Sequence, residues 1–512
     1  MIEKIVIANR GEIAVRIIRS CREMGIRSVA LFSEADRMSK HVMLADEAYP
    51  IGPAPSKESY LDVDKIIETA LKCGADAVHP GYGFLSENAG FARKCEVAGI
   101  TFIGPRAETI ERMGDKISAR RSMTEASVPV VPGIQRQLES ATEAERICRE
   151  IGLPVILKAA SGGGGKGMRL IRSESEIGEA YAAAKSEALS SFGDETVYIE
   201  KYIEEPHHIE FQILGDAHGN IVHLYDRECS VQRRHQKIVE ESPSPFLTDE
   251  LRQEMGKTAA AAARAVGYVG AGTIEFLVDK NRNFYFLEMN TRLQVEHPVT
   301  EEVLGLDLVK EQIYIASGRP LHLRQTDIVQ RGHSIECRIC AEDADNGFMP
   351  SPGLVKQVTE PNGLGIRIDS YIYEGYEIPV YYDPMISKLI VRATTREYAV
   401  QRMRAALDEY KVTGIKTNIS YLNAIMHTPD FVRGGYDTAF LEKNEKIIHR
   451  YLREPFPAGA DDRLVEDLVL IAAQIDYLVM QQEGGGSSPA AADTGTLNRW
   501  REFGKRKGVM GI

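Results

Sequence analysis

The sequence predicts a chain of mixed α/β and α+β architecture with several domains. Three observations predict it. Short apolar runs alternate with helical patterns over the first 110 residues, a strand-rich middle surrounds a run of four glycines, and the part beyond 330 mixes strands and helices. Alternating strands and helices favour a parallel sheet covered by helices. At 512 residues the chain has room for roughly three domains, with cores that need no staples.

Taken in order, Ile5–Ala8 reads as a strand and Gly11–Met24 as a helix whose Ile13, Ile17, Ile18 and Cys21 lie near one face. Gly25 stops that helix. Val29–Phe32, Ala75–Val78 and Thr101–Ile103 continue the strands, completing an N-terminal parallel α/β domain over 1–114. Pro154–Ala160 and Met168–Ile171 flank the glycine run. Glu195–Tyr202, Ile209–Leu214, Ile221–Asp226, Thr273–Val278 and Asn283–Met289 are further strands, and Thr258–Ala265 is an alanine-rich helix, within a central domain of 115–330. A mixed domain of 331–447 has strands near 333–340 and 386–393 and a helix at 396–410. A helical extension of 448–482 follows, amphipathic over 461–482. Residues 483–512 read as a flexible linker, EGGGSSPAAADTG, and a basic tail with five Lys or Arg against one Glu.

Composition narrows the class. Apolar residues make up 43% and charged residues 27%, which excludes a mostly disordered, collagen-like or membrane-embedded chain. The net charge of −12 argues against non-specific nucleic-acid binding. Seven cysteines, an odd number in a long chain, argue against a disulfide framework. No secretory signal and no apolar stretch of 18 residues is present, so the expected location is the cytoplasm and no membrane contact is expected.

Three segments carry chemistry. Lys158-Ala-Ala-Ser-Gly-Gly-Gly-Gly165-Lys166-Gly exposes backbone N–H groups that can fold over phosphates, with lysines beside them. Gly follows Lys166, so this is not a Walker loop, and its place between two strands suggests a hairpin lid. In Glu288-Met-Asn290-Thr-Arg292-Leu-Gln294-Val-Glu296, an extended chain puts the polar residues 288, 290, 292, 294 and 296 on one side and the mostly apolar 289, 291, 293 and 295 on the other. Glu288 and Asn290 are oxygen ligands suited to Mg²⁺, and Glu275, a Glu inside the apolar strand Thr-Ile-Glu-Phe-Leu, is a third candidate. Gln232-Arg-Arg-His235-Gln-Lys237 is a dense basic cluster that reads by itself as a solvated loop. Cys337-Arg338-Ile-Cys340 matches a redox C-x-x-C, but in a strand these thiols face opposite sides and no thioredoxin-like unit surrounds them.

Residues 1–447 resemble biotin carboxylase, an ATP-grasp enzyme. The strings KIVIANRGEIAVRIIR, HPGYGFLSEN, MGDK at 113–116, KAASGGGGKGM, RRHQKIVEE, EMNTRLQVEHPVTE and ECRICAED carry the resemblance, in that order. It implies a pre-ATP-grasp domain, an ATP-grasp domain with a mobile lid at about 131–203, and a C-terminal domain. It implies ATP contacts from Lys116, Lys158, Gly164, Gly165, Glu200, Lys201, Tyr202, Ile203, His208, His235, Glu275 and Glu288. Glu275, Glu288 and Asn290 match ligands of Mg²⁺ or Mn²⁺, and Lys237, Arg292, Gln294 and Val295 match a bicarbonate site. Glu296 is similar to the general base and Arg338 to the group that steadies the biotin enolate.

The implied reaction is ATP-dependent carboxylation of biotin through carboxyphosphate, the first half of acetyl-CoA, acyl-CoA or pyruvate carboxylation. Another ATP-grasp ligase or a non-catalytic scaffold are the alternatives; the cluster from Lys237 to Arg338 and the complete set of phosphate lysines argue against them. Lys166 stands where the family often has Arg, and Cys340 where Asn is common. No Ala-Met-Lys-Met string occurs, so biotin is expected on a separate biotin carboxyl carrier protein. The second expected partner is a carboxyltransferase subunit, and the expected assembly is a homodimer. The tail resembles the ends of subunits from multi-subunit carboxylases, and 461–512 could serve as a docking element.

Overall fold

The structure is a computed structural model and describes residues 2–134, 136–159 and 168–453, together with 471 and 474. It divides into two units, Met1–Leu452 and Arg453–Ile512. In the second, Ile471 and Gln474 are helical and exposed; the rest of the expected 461–482 helix, the linker and the basic tail lie outside the described residues, as do Gly164, Gly165 and Lys166.

The chain opens with five parallel strands, β1 (Lys4–Ile7), β2 (Arg27–Ser33), β3 (Glu47–Gly52), β4 (Ala77–His79) and β5 (Thr101–Phe102), ordered β3-β2-β1-β4-β5. Here β3 is absent from the sequence expectation. It is an edge strand carrying Pro50, and its side chains are mostly half-exposed, so it lacks an apolar run. The helix Gly11–Glu23 is buried on nearly every side, because it packs on this sheet and also faces the C-terminal strands.

The expected lid forms its own three-stranded antiparallel sheet, β6 (Val155–Ala159), β7 (Met168–Ile171) and β8 (Val197–Lys201), ordered β7-β6-β8. Register from Val155↔Ile171 to Lys158↔Met168 makes β6 and β7 a hairpin around the glycine run. Ile147, Val155, Leu157, Val197 and Ile199 give this unit a core of its own.

The third layer is an eight-stranded antiparallel sheet: β9 (His207–Gly215), β10 (Ile221–Arg233), β11 (Gln236–Ser242), β12 (Gly270–Val278), β13 (Phe284–Asn290), β14 (His333–Cys340), β15 (Ile366–Ser370) and β16 (Met385–Ala393), ordered β13-β12-β9-β10-β11-β14-β16-β15. The helix Asp249–Ala265 lays its Met255 and alanines against Phe211 and Phe276 on one face. The expected limit at 330/331 falls between strands of this one sheet, since β11 pairs β14 from Val239↔Cys337 to Ser242↔Ser334. The expected limit at 447/448 falls inside the helix Phe440–Arg453. Among the described residues no helix is long and apolar enough to cross a membrane.

Candidate active site

Alternation along the large sheet builds the site. On β9, Ile209, Phe211 and Ile213 enter the apolar core, so His208, Glu210 and Gln212 face the other way. On β12, Ile274 and Phe276 enter that core and Glu275 faces out opposite Glu288 of β13. On β14, Ile335, Cys337 and Ile339 are core, which turns Glu336 and Arg338 to the polar face. The result is a floor of charged side chains, lining a cavity of about 790 Å³ with Arg292, Gln294, Lys237 and Arg338 in its wall.

Lys237 is the hub. Its ammonium donates to Glu210 at 2.6 Å, Glu275 at 2.9 Å and Glu296 at 2.7 Å. Burial favours the neutral amine, but these three carboxylates outweigh it and raise the pKa of Lys237 well above its usual value. Glu296, fully buried, takes Lys237 on Oε1 and Arg338 on Oε2 at 2.9 Å. Burial pushes its carboxyl up, yet Lys237, then Arg338 and Arg227, hold it well below the usual range, so Glu296 is ionised. Arg227, with no exposed surface, ties Glu210, Gln212, Thr273 and Thr300 together beneath the floor.

The expected metal ligands meet. Glu275 and Glu288 are register partners, and Asn290 lies two pairs further on, on the same face, opposite Thr273. Burial and the Glu275 charge push the Glu288 carboxyl up, against Lys116. Paired acidic oxygens that strain against one another fit a hard divalent cation. Asn290 Oδ1 is already taken by Arg292, and Asn290 Nδ2 donates to Glu275. His208 Nδ1 lies 2.9 Å from the Gln232 amide nitrogen, which itself donates to the Cys229 carbonyl; Nε2 therefore carries the proton that Glu275 accepts at 2.8 Å. The clusters His208–Glu210–Glu275 and Glu210–Cys229–Glu296 also have metal-like spacing, but the Lys237 ammonium already joins them and serves as their cation.

The two lysines expected to meet phosphates, Lys116 and Lys158, lie near Glu200 of the lid sheet. Lys158 of β6 pairs with Glu200 of β8 at 2.6 Å, and Arg120 pairs with the other Glu200 oxygen. Lys116 lies close enough to Glu288, Lys158 and Glu200 for burial, and then these charges, to set its pKa, which is lowered. Lys201 donates to the carbonyls of Gly152 and Leu153, and Tyr202 and Ile203 follow it half-buried. His235 lies in the β10–β11 turn and lines the cavity; Arg234 and His235 both have positive φ, 50° and 65°.

Two expectations are corrected. The run 288–296 is not one extended strand: β13 ends at Asn290, and 291–296 bend into the helix His297–Leu304. Strand pairing stops at Asn290↔Thr273, and Glu87 then anchors the bend through the Thr291 N–H at 3.0 Å. Past the bend, Arg292 pairs with Glu87 at 2.8 Å and Gln294 at 3.3 Å. The RRHQK cluster, read alone as a solvated loop, is the hairpin joining β10 to β11. Its Arg234, His235 and Gln236 are exposed, while the Lys237 side chain is half-buried, 12% exposed. Glu87, Glu210, Arg227 and Glu240 belong to the site without having been singled out in the sequence. Glu87 lies inside HPGYGFLSEN, and Glu210 follows His208 at strand spacing, so both had a signal. Cys337 and Cys340 are free thiols, one in the core and one at the cavity, as strand alternation expected.

A small antiparallel sheet carrying Lys158 together with a large antiparallel sheet that pairs Glu275 with Glu288 is the architecture of an ATP-grasp ligase. Family models match residues 1–110 (biotin carboxylase, N-terminal domain), 115–324 (carbamoyl-phosphate synthase L chain, ATP binding domain) and 336–443 (biotin carboxylase C-terminal domain). Biotin carboxylase 1 of Bacillus subtilis is 54% identical over 443 residues, covering 86% of this chain and 98% of that protein. A pyruvate carboxylase subunit of Methanothermobacter thermautotrophicus is 53% identical over 469 residues, covering 91% and 95%. The biotin carboxylase domain dimer of Hydrogenobacter thermophilus 2-oxoglutarate carboxylase, solved with MgADP, ADP and bicarbonate, superposes with a TM-score of 0.84 at 51% identity, over 88% of this chain and 99% of that one. The chain belongs to the biotin carboxylase family.

Proposed function

We propose that this chain carboxylates biotin with bicarbonate and ATP, through carboxyphosphate, giving N1′-carboxybiotin, ADP and phosphate. The observation that carries the reading is Glu296: an ionised carboxylate held between Lys237 and Arg338, directly behind a cavity walled by Arg292 and Gln294.

Lys116, Lys158 and the glycine run hold the phosphates, with Gly164 and Gly165 supplying N–H groups, and Glu200, Lys201, Tyr202, Ile203, His208 and His235 frame the nucleotide. Glu275 and Glu288, with Asn290 beside them, would hold Mg²⁺, which supplies charge neutralisation across the phosphates. Lys237, Arg292, Gln294 and the Val295 backbone seat bicarbonate. Glu296 takes its proton as a bicarbonate oxygen attacks the γ-phosphorus and ADP leaves. The carboxyphosphate formed breaks to CO₂ and phosphate, phosphate takes the N1′ proton of biotin, and Arg338 stabilises the enolate that captures CO₂. Closure of the 131–203 lid excludes water from carboxyphosphate.

We place biotin on a carrier protein and the second half-reaction on a separate carboxyltransferase, with this chain a homodimer within a multi-subunit carboxylase. The Methanothermobacter relative is one subunit of a pyruvate carboxylase and the Hydrogenobacter structure is a dimer, and both support this. The test is ADP release with ATP, Mg²⁺ and bicarbonate, with and without free biotin. Turnover should need bicarbonate, rise with biotin, and drop roughly 100-fold or more in Glu296→Gln. ATP cleavage indifferent to bicarbonate and biotin would instead assign the fold to another ligase.

A further inference from the structure

Behind Arg338 lies a second acidic pair. Glu240 of β11 and Glu336 of β14 are register partners in the large sheet, so their side chains leave the same face side by side. Both are buried, with 1% and 0% of their surface exposed. Glu240 Oε1 accepts Arg338 Nε at 2.6 Å. Glu240 Oε2 and both oxygens of Glu336 accept no hydrogen bond from the described residues.

The surrounding charges cannot serve both acids. Arg338 is shared with Glu296. Lys237, on β11 itself, is spent on Glu210, Glu275 and Glu296. Lys388 of β16 gives its ammonium to the Val295 carbonyl at 2.8 Å and lies 3.3 Å from Glu12. The remaining titratable neighbours, Cys229 of β10 and Cys337 of β14, are buried thiols whose pKa burial raises well above the usual value. Two ionised carboxylates with three unserved oxygens cost more in this interior than their partners return. Aspartic dyads solve the same problem by keeping a proton.

We propose that Glu240 and Glu336 hold one proton between them and form the positioning pair of Arg338, fixing its guanidinium from behind without cancelling its charge. Burial pushes Glu336 well up and Glu240 to about 7, in the direction this requires. When Arg338 swings from Glu296 to the biotin oxygen, freeing the base, the Glu240 contact keeps it anchored. Loss of the shared proton sets a second anion against the guanidinium and weakens its hold on the enolate. The proposal rests on the role given to Arg338 above.

The test has two arms. Infrared difference spectra of the wild type and the double variant Glu240→Gln/Glu336→Gln, at neutral pH in heavy water, read the proton directly. A protonated-carboxyl C=O band lost in the double variant supports the pair; identical carbonyl regions overturn it. The second arm is the pH profile of biotin-dependent kcat. The wild type should fall by about tenfold on its alkaline side, a usual size for coupling between two groups. Glu240→Gln, neutral at any pH, should move that fall upward. Glu336→Gln likewise leaves at most one anion in the pair, the charge of the active wild type, so its fall should also move upward or vanish, with KM for ATP unchanged in both. Glu240→Ala should lose roughly 10–100-fold in kcat, partly restored in Glu240→Gln. An alkaline limb that coincides with the wild type's in either single variant, or that moves downward, overturns the proposal. A wild type without biotin-stimulated turnover would sink the enzymatic reading, while the infrared arm still decides on the proton.

Discussion

Lys237 has three N–H donors and three carboxylates around it, so it has no donor left for a fourth partner. Any anion that enters between Lys237 and Arg292 must displace one of those carboxylates. Arg292 is held by a comparable set: Nε to Glu87, Nη2 to Asn290 and Nη1 to Gln294. Glu87 comes from the N-terminal domain and also accepts the Thr291 N–H, so it fixes both the guanidinium and the bend that carries it. Glu87→Gln keeps the shape and removes the charge. A hydrogen bond to a charged group is worth about 1.5–3 kcal/mol, so KM for bicarbonate should rise roughly tenfold. KM for ATP should stay put, because Glu87 holds Arg292 and not Lys116 or Lys158. Equal rises in both constants would show that Glu87 supports the fold and not the bicarbonate seat.

At the scale of elements, one local rule explains both what the sequence reveals and what it conceals. Alternation is legible in β9, β12 and β14, where a polar residue recurs every second position inside an apolar run; Glu275 and Arg338 stand out for that reason. The same rule carried past Asn290 goes wrong at Thr291, because nothing in the string EMNTRLQVE announces that strand pairing ends. The β10–β11 turn hides for another reason. Arg234 and His235 both take the left-handed conformation that usually calls for Asn or Gly, so the turn has no turn-like sequence. Glu241, next to Glu240 on β11, shows a different use of the strand. It binds Arg396 at 2.8 Å and 2.9 Å and also takes His333 and Tyr436, pinning the sheet to the C-terminal helices. Burial pushes its carboxyl up, but Arg396 and His333 bring it from 4.5 down to about 2. The folded pKa lies below the unfolded one, so this stabilisation is complete above about 4.5 and is lost as pH falls through about 2. Glu241→Gln should lower stability by about 3 kcal/mol near neutral pH. Its unfolding midpoint should also vary less than the wild type's across that acid window. A variant as acid-sensitive as the wild type would place the linkage elsewhere.

The whole molecule is organised around a sheet that local patterns do not reveal. Its strands β11 and β14, and then β16, come from distant parts of the sequence, yet they pair edge to edge. The expected limit near 330 follows a change in local composition, and long-range pairing leaves no trace there. Arg338, Glu336 and Lys388 complete the floor begun by β9 and β12, so the central and C-terminal segments depend on each other for the site. The unit Met1–Leu452 contains every strand of that sheet, the lid sheet and the whole cavity wall. Its last helix, Phe440–Arg453, seats Phe440 and Ile448 in the C-terminal core, so a cut at 447 would remove a buried anchor. A chain ending at Arg453 keeps that anchor. Its melting temperature should lie within about 2 °C of the full chain's, which at this size corresponds to a change of no more than roughly 2 kcal/mol. Its biotin-stimulated, bicarbonate-dependent turnover should be retained. A chain ending at Gly434 loses the helix and should melt well below both. If the chain ending at Arg453 kept its melting temperature but lost turnover, residues beyond 453 would have to contribute to catalysis directly, because the sheet, the lid and the floor would all still be in place.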